Sequence, residues 1–301
     1  MLPDTHLPAF VTDEGGQCRL RLTIGYDGTD FSGWATQPGR RTVCETIETT
    51  LATILRTPVR LTVAGRTDAG VHASGQVAHC DVPTESLQTR SIGGEPARLV
   101  RRLAKMLPDD VRVKAVDAVS TDFDARFAAL ARTYEYRLAD APWGAEPTRA
   151  RSTADWQRPL DVDVMNAASA ALVGLNDFAA FCRFRPGSTT IRELQEFSWT
   201  RDRHGVLVAV VRADAFCWSM VRSLVGAVAV VGDGRRDLDW CAGLLSEKAR
   251  SAQVPVAQAR GLSLVHVAYP PADQWAARAE LTRDVRDESD LAGGAGGCCG
   301  D

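Results

Sequence analysis

The period of apolar positions changes several times along this chain, and the changes mark out its elements. In residues 18–26, Leu20, Leu22 and Ile24 alternate with polar neighbours, which predicts a half-buried strand. In residues 42–56, Val43, Ile47, Leu51, Ile54 and Leu55 recur at three- and four-residue intervals, the stripe of an amphipathic helix that Pro58 closes. Alternation returns over 59–64 and again around Val77, Ala78 and Cys80, predicting strand, loop and strand. Residues 84–96 are polar, with Gly93-Gly94, and predict a loop. Leu99, Leu103, Met106 and Leu107 give a helix over 96–107, and 111–119 alternates once more. The order β-α-β-β-α-β is the ferredoxin-like arrangement.

The second half has a similar rhythm. Strand patterning over 133–138 is followed by a loop to about residue 160 and a helix over 162–175. Strands over 193–199 and 206–213 flank the turn Asp202-Arg203-His204-Gly205. An apolar helix over 218–231, another around 240–245 and a last strand over 262–269 complete the pattern. The sequence therefore predicts an α+β protein of two domains of like plan, 18–118 and 119–272, without detectable identity between them. Residues 1–17 are aperiodic and predict a disordered N-terminal tail. Residues 273–301 are acidic and Gly-rich, and predict a disordered tail that buries little.

Composition narrows the class. A chain of 301 residues, 45% hydrophobic and 24% charged, suits one large or two modest globular domains. No apolar run approaches the length of a membrane span, and the start Met1-Leu2-Pro3-Asp4 lacks a basic region followed by an apolar one, so a cytoplasmic protein is expected. The eight cysteines form no C-x-x-C pair, which predicts reduced thiols and no metal site. Net charge is −3, an unpromising sum for a nucleic-acid binder. Residues 273–301, however, hold seven acids against three arginines, and the rest of the chain carries +1. Only Lys105, Lys114 and Lys248 are lysines; the other cations are arginines, which suit phosphate forks and base stacking. Arg98, Arg101, Arg102 and Lys105 crowd one helical stretch, either a solvated face or a phosphate-facing one.

The stretch with most chemistry lies between the second and third predicted strands: Gly65-Arg66-Thr67-Asp68-Ala69-Gly70-Val71-His72. It offers one carboxylate and one guanidinium at a strand end. The two bracketing glycines can take positive φ or admit another backbone. An isolated Arg-x-Asp in a loop is usually structural, a turn carboxylate beside a surface cation.

This string, with Gly75-Gln76-Val77 after it, resembles the central motif of tRNA pseudouridine synthases of the TruA family. Further stretches resemble the same family: Tyr26-Asp27-Gly28-Thr29 with Phe31, Gly33-Trp34 and Gln37; Phe123-Asp124-Ala125-Arg126-Phe127 with Arg132-Thr133-Tyr134-Glu135-Tyr136; Asn176-Asp177-Phe178 with Phe181; Met220-Val221-Arg222 with Val225-Gly226; and Gly261-Leu262. The resemblance runs over about 18–270. Ala35 and Cys44 stand where glutamine is expected, and Cys217-Trp218-Ser219 replaces a segment that often holds histidine. The resemblance implies a pseudouridine synthase fold of two ferredoxin-like halves, with a central, mostly antiparallel sheet and an active-site cleft. It implies isomerisation of uridine in the tRNA anticodon stem-loop, at positions 38 to 40, by a homodimer that holds tRNA across both subunits.

That reaction detaches the base from C1′ and rejoins it through C5. It exchanges no electrons and transfers no external group, so no cofactor or metal is implied, and one carboxylate suffices. By the resemblance Asp68 is the nucleophile, flanked by Arg66 and Arg222. Tyr134 stacks on the base and Leu262 walls the pocket. Attack at C1′, attack at C6 and a glycal route all remain open. On the residues alone, Tyr134 and Leu262 also fit as core residues, and His72 as a structural histidine. Phe31 and Trp34 fit RNA stacking or the core equally. A glycosidase competes as a reading, but such enzymes use two carboxylates about the cleaved bond, where this motif has one. A non-catalytic RNA-binding domain would not need Asp68.

Overall fold

The computed structural model describes residues 16–183, 189–283 and 290–291. Strand β1 (Gln17–Tyr26) buries the alternating face that its sequence predicts, and α1 (Val43–Leu55) buries its stripe from Val43 to Leu55. The short β2 (Thr62–Val63) pairs with β3 (His72–Pro83), α2 (Leu99–Met106) follows, and β4 (Val111–Val119) closes the first half. In the second half β5 (Ala131–Ala139) and the short β6 (Ala154–Asp155) precede α3 (Val162–Ala170). Then come β7 (Gly174–Asp177), β8 (Ile191–Arg201), β9 (Leu207–Ala213), α4 (Met220–Gly232), α5 (Leu238–Gly243), β10 (Leu262–Ala268) and α6 (Trp275–Arg283).

One ten-stranded sheet runs β4-β1-β3-β10-β5-β9-β8-β7, with β2 beside β3 and β6 beside β5. The four strands β10-β5-β9-β8 and the set β4-β1-β3 with β2 each have the ferredoxin-like order, so the expected α+β plan of two such halves is present. The halves meet where β3 lies parallel to β10, Ser263 opposite His72; the other long pairings are antiparallel. A single apolar core runs through both halves, and the first half's last strand, β4, ends at Val119.

Several elements differ from their sequence patterns. The helix predicted over 162–175 stops at Ala170, because Gly174 adopts φ +120° and the chain turns into an edge strand along β8. The helix predicted from Trp218 starts at Met220, after Ser219 in the left-handed region at φ 67°. Only Thr62 and Val63 of the strand predicted over 59–64 join the ladder. The first part of the stretch expected to be a disordered tail, from residue 273, is instead helical in α6. Trp275 and Ala279, four apart on α6, are buried, and the Trp275 ring packs 4.9 Å from Phe123 while its indole donates to the Pro270 carbonyl. The average acidity of the region hid this two-residue stripe. Residues 1–15, 284–289 and 292–301 lie outside the described residues.

Cysteines depart from expectation too. Cys182 and Cys217 are joined as a disulfide, with Cα atoms 5.8 Å apart and a sequence separation of 35. Cys18, Cys44, Cys80 and Cys241 are free and buried. Strand topology brings the two partners together across a distance that spacing rules do not register.

Candidate active site

The loop between β2 and β3 is held from three directions. From inside, the Thr67 hydroxyl meets the Tyr26 hydroxyl at 2.8 Å, and Gln76 donates both to the Gly65 carbonyl at 2.7 Å and to Tyr26 at 3.3 Å. From the first loop, the Trp34 amide donates to the Thr67 carbonyl at 3.0 Å. Gly33, at φ +91°, lies so close that a Cβ would sit 2.9 Å from the same carbonyl oxygen. Within the loop, Val71 donates back to the Asp68 carbonyl, and Gly70 takes φ +77°, a conformation that strains any other residue. Gly65 has an ordinary φ and open space around it, so the freedom expected of both glycines is used at Gly70 alone.

The third hold comes from across the sheet. Arg132 on β5 is 7% exposed and donates to three carbonyls: Ala64 at 2.8 Å, Arg126 at 2.7 Å and Asp214 at 2.7 Å. Burial pulls its guanidinium below the usual value, but an arginine remains a cation. Its charge is met by carbonyl dipoles. Ala64 immediately precedes the Asp68 loop. Asp214 opens the connection that carries Phe216 and leads to α4.

Helix α4 supplies the opposite charge. Twelve of its thirteen residues are buried; the exception is Arg222. Its Nε donates to the Ala257 carbonyl at 2.7 Å and its Nη1 lies 3.7 Å from the Asp68 carboxylate. The acidic partner that a guanidinium on so apolar a helix requires is therefore Asp68. Arg66 does not join this pair. It is exposed and forms no ion pair or hydrogen bond with any described residue.

Tyr134 lies on β5 between Leu264 of β10 and Val211 of β9. Its ring meets Phe216 edge-on, 5.2 Å between centroids at 88°. Burial raises its pKa, with Tyr26 and Asp68 adding in the same direction, so the hydroxyl stays protonated. That hydroxyl makes no hydrogen bond to a described residue. Leu262 is buried at the start of β10, opposite Tyr136. His72 is structural in its contacts: Nδ1 accepts from the Gly28 amide, and Nε2 donates to the Arg260 carbonyl, each at 3.1 Å. Phe31 and Trp34 are core residues.

The structure thus brings Asp68, Arg222 and Tyr134 to the seam of the two halves. It adds Tyr26, Gln76 and Gly33 under the loop and Arg132 across the sheet, which stand in the motifs without an assigned role, and Phe216 on Tyr134, which lies outside every motif. Gln76 and Arg132 carried a signal, as polar groups on otherwise apolar strand faces. Among the described residues no three His, Cys, Asp or Glu side chains cluster to hold a metal, and no helix is long and apolar enough to cross a membrane.

Comparison with known proteins agrees with this geometry. A family profile described as tRNA pseudouridine synthase matches residues 23–128 and 168–270. The chain is 53% identical over 274 residues to tRNA pseudouridine synthase A of Mycobacterium leprae, covering 89% of this chain and 95% of that one. It is 54% identical over 278 residues to the protein of that name from Corynebacterium glutamicum, covering 90% and 96%. Two fused ferredoxin-like halves and this match together define a pseudouridine synthase, an isomerase by class. The chain belongs to the tRNA pseudouridine synthase family.

Proposed function

We propose that this protein converts uridine to pseudouridine at positions 38 to 40 of the tRNA anticodon stem-loop, with Asp68 as nucleophile. The observation that carries the assignment is the Asp68–Arg222 approach of 3.7 Å on a loop braced from both halves of the sheet. An arginine this near attracts the carboxylate and restricts its rotamers. On this reading the held carboxylate meets the sugar of a flipped nucleotide. The N1–C1′ bond breaks, the base turns, and C5 bonds to C1′. C5 loses a proton and N1 ends protonated, so composition is unchanged.

Tyr134 offers the ring on which the base stacks. Its protonated, unbonded hydroxyl supports a platform and not a base. Leu262 contributes apolar wall. Arg66, exposed two residues before Asp68, is placed to meet the RNA and not the carboxylate. The working form we propose is a cytoplasmic homodimer with tRNA across both subunits, which rests on the family resemblance.

The test is Asp68→Asn. The swap is nearly isosteric, so the fold and tRNA affinity should persist, since affinity comes mainly from phosphate contacts. An amide is a far poorer nucleophile, and single-turnover pseudouridine formation should fall by orders of magnitude, the pattern of a group needed in the chemical step. Activity within about tenfold of the parent, a barrier change of only about 1.4 kcal/mol, sinks the assignment. Free uracil released from the RNA would point to hydrolysis instead.

A further inference from the structure

A cationic cavity lies outside the Asp68 site. Its volume is about 570 Å³, and it is lined by Arg137, Arg149, Ser152, Asp202, Arg203 and His204. Three cations against one carboxylate is a local excess in a chain whose net charge is −3. The one carboxylate is already committed. Asp202 accepts the His204 and Val206 amides of its own turn at 2.8 and 3.0 Å, and takes Arg137 at 2.6 Å, with Arg149 at 3.8 Å. Arg149 and Arg203 therefore keep N–H donors for another acceptor.

The wall of this cavity is tied to the catalytic loop. Arg149 and Ser152 belong to the β5–β6 connection, residues 140–153. Between them, Arg151 bridges Asp27 at 2.8 Å and Asp30 at 2.7 Å, on either side of Gly28, whose amide donates to His72 at the end of the Asp68 loop. Asp155 forms a second tie. It accepts the Ala145 amide at 2.7 Å and pairs with Arg260, whose carbonyl His72 holds. On this braced connection Trp143 is 75% exposed. An exposed indole on the same connection as Arg149 is the composition of an RNA-contact surface, ring for base and guanidinium for phosphate.

We propose that this cavity binds a phosphodiester of the substrate RNA, with Arg149 and Arg203 as the phosphate ligands and Trp143 stacking on a neighbouring unpaired base. The inference rests on tRNA being the substrate, and extends the docking surface from the Asp68 seam to the β8–β9 turn. Arg137 and Asp202 hold the two ligands apart and are positioning groups.

Two sets of variants test it by tRNA binding over a range of salt. For Arg149→Ala with Arg203→Ala, the dissociation constant should rise about tenfold near physiological salt. The slope of log affinity against log salt should fall by at least about 0.7, the value of one lost phosphate contact in single-stranded RNA. Trp143→Ala should weaken binding about fivefold or more while leaving the salt slope unchanged, because stacking releases no counterions. In both sets the loss should appear in KM, with kcat at saturating tRNA within about twofold. Trp143 and Arg203 are exposed and Arg149 is half-buried, and Arg149→Gln with Arg203→Gln repeats the test if the alanine pair melts early. Parental affinity and slope in the arginine variants overturn the proposal, as does a loss confined to kcat. If the parent protein forms no pseudouridine but the slope change appears, the enzymatic assignment fails and the phosphate site stands.

Discussion

Tyr134 and Arg132 sit two residues apart on β5 and have opposite requirements. The Tyr134 hydroxyl bonds to no described residue while its ring is fixed by Phe216. Tyr134→Phe should therefore retain most activity. Tyr134→Ala should lose most of it, since a base–aromatic stack is worth about 1–3 kcal/mol. Equal single-turnover rates for parent and alanine variant would remove Tyr134 from the site. Arg132 matters through its whole fork. Lysine keeps the charge but cannot serve three carbonyls in three directions, and each abandoned buried acceptor costs about 1–3 kcal/mol. Arg132→Lys should cut kcat about tenfold or more with tRNA affinity unchanged, because Ala64 and the Phe216 connection lose their common anchor. Activity per folded molecule equal to the parent's, measured beside a melting curve, would reduce Arg132 to a structural role. Asp68 and Tyr134 were legible because a contiguous motif names them. Arg132 was quoted in a motif but its work was not legible, since its three acceptors lie 6, 68 and 82 residues away.

At the scale of elements, the strands and amphipathic helices that face one core were readable from period alone, and so was their repeated order. What escaped was decided by few residues or by long-range pairing. Helix α6 shows this. Its composition is polar, yet Trp275 packs on Phe123, which also meets Tyr269, and Arg283 lies 5.4 Å over Phe127. The helix clamps the Phe123–Phe127 stretch whose Arg126 carbonyl Arg132 holds. Trp275→Ala should then destabilise the fold by about 3–5 kcal/mol, the usual cost of emptying a buried tryptophan site, seen as a lower denaturant midpoint. A midpoint within experimental error of the parent's would mean that α6 is not part of the cooperative unit. The Cys182–Cys217 disulfide escaped for the same reason as Arg132: nothing local in sequence points from one partner to the other.

Across the whole molecule, the ionisable groups with resolved shifts below their ordinary values make acid the direction of weakness. His79 on β3 is buried, and its Nδ1 accepts the Ala125 amide at 3.0 Å, a bond that requires the unprotonated nitrogen. Burial holds its pKa below the usual histidine value, and the charge of Arg19 adds to this. Asp81 is held low chiefly by Arg19. For Asp27, Asp140, Asp202 and Asp233, burial alone would raise the carboxyl, but hydrogen bonds and arginine partners outweigh it and hold each below the carboxylate range. A group with a depressed folded pKa contributes stability that is present above its unfolded value and is lost as pH falls through the folded one. Histidine and the carboxylates therefore act in the same sense but in separate windows. The first opens just below the unfolded histidine value of about 6.5, the second below about 3.9. The melting temperature should be level from about pH 8 to 7, fall as His79 is forced to protonate, and fall again once the aspartates titrate. His79→Gln keeps an acceptor for the Ala125 amide without a titrating nitrogen, so it should flatten the first decline and leave the second in place. Thermal melts of parent and variant at matched ionic strength decide it: parallel curves through the first window would show that the Ala125–His79 bond does not set the acid response.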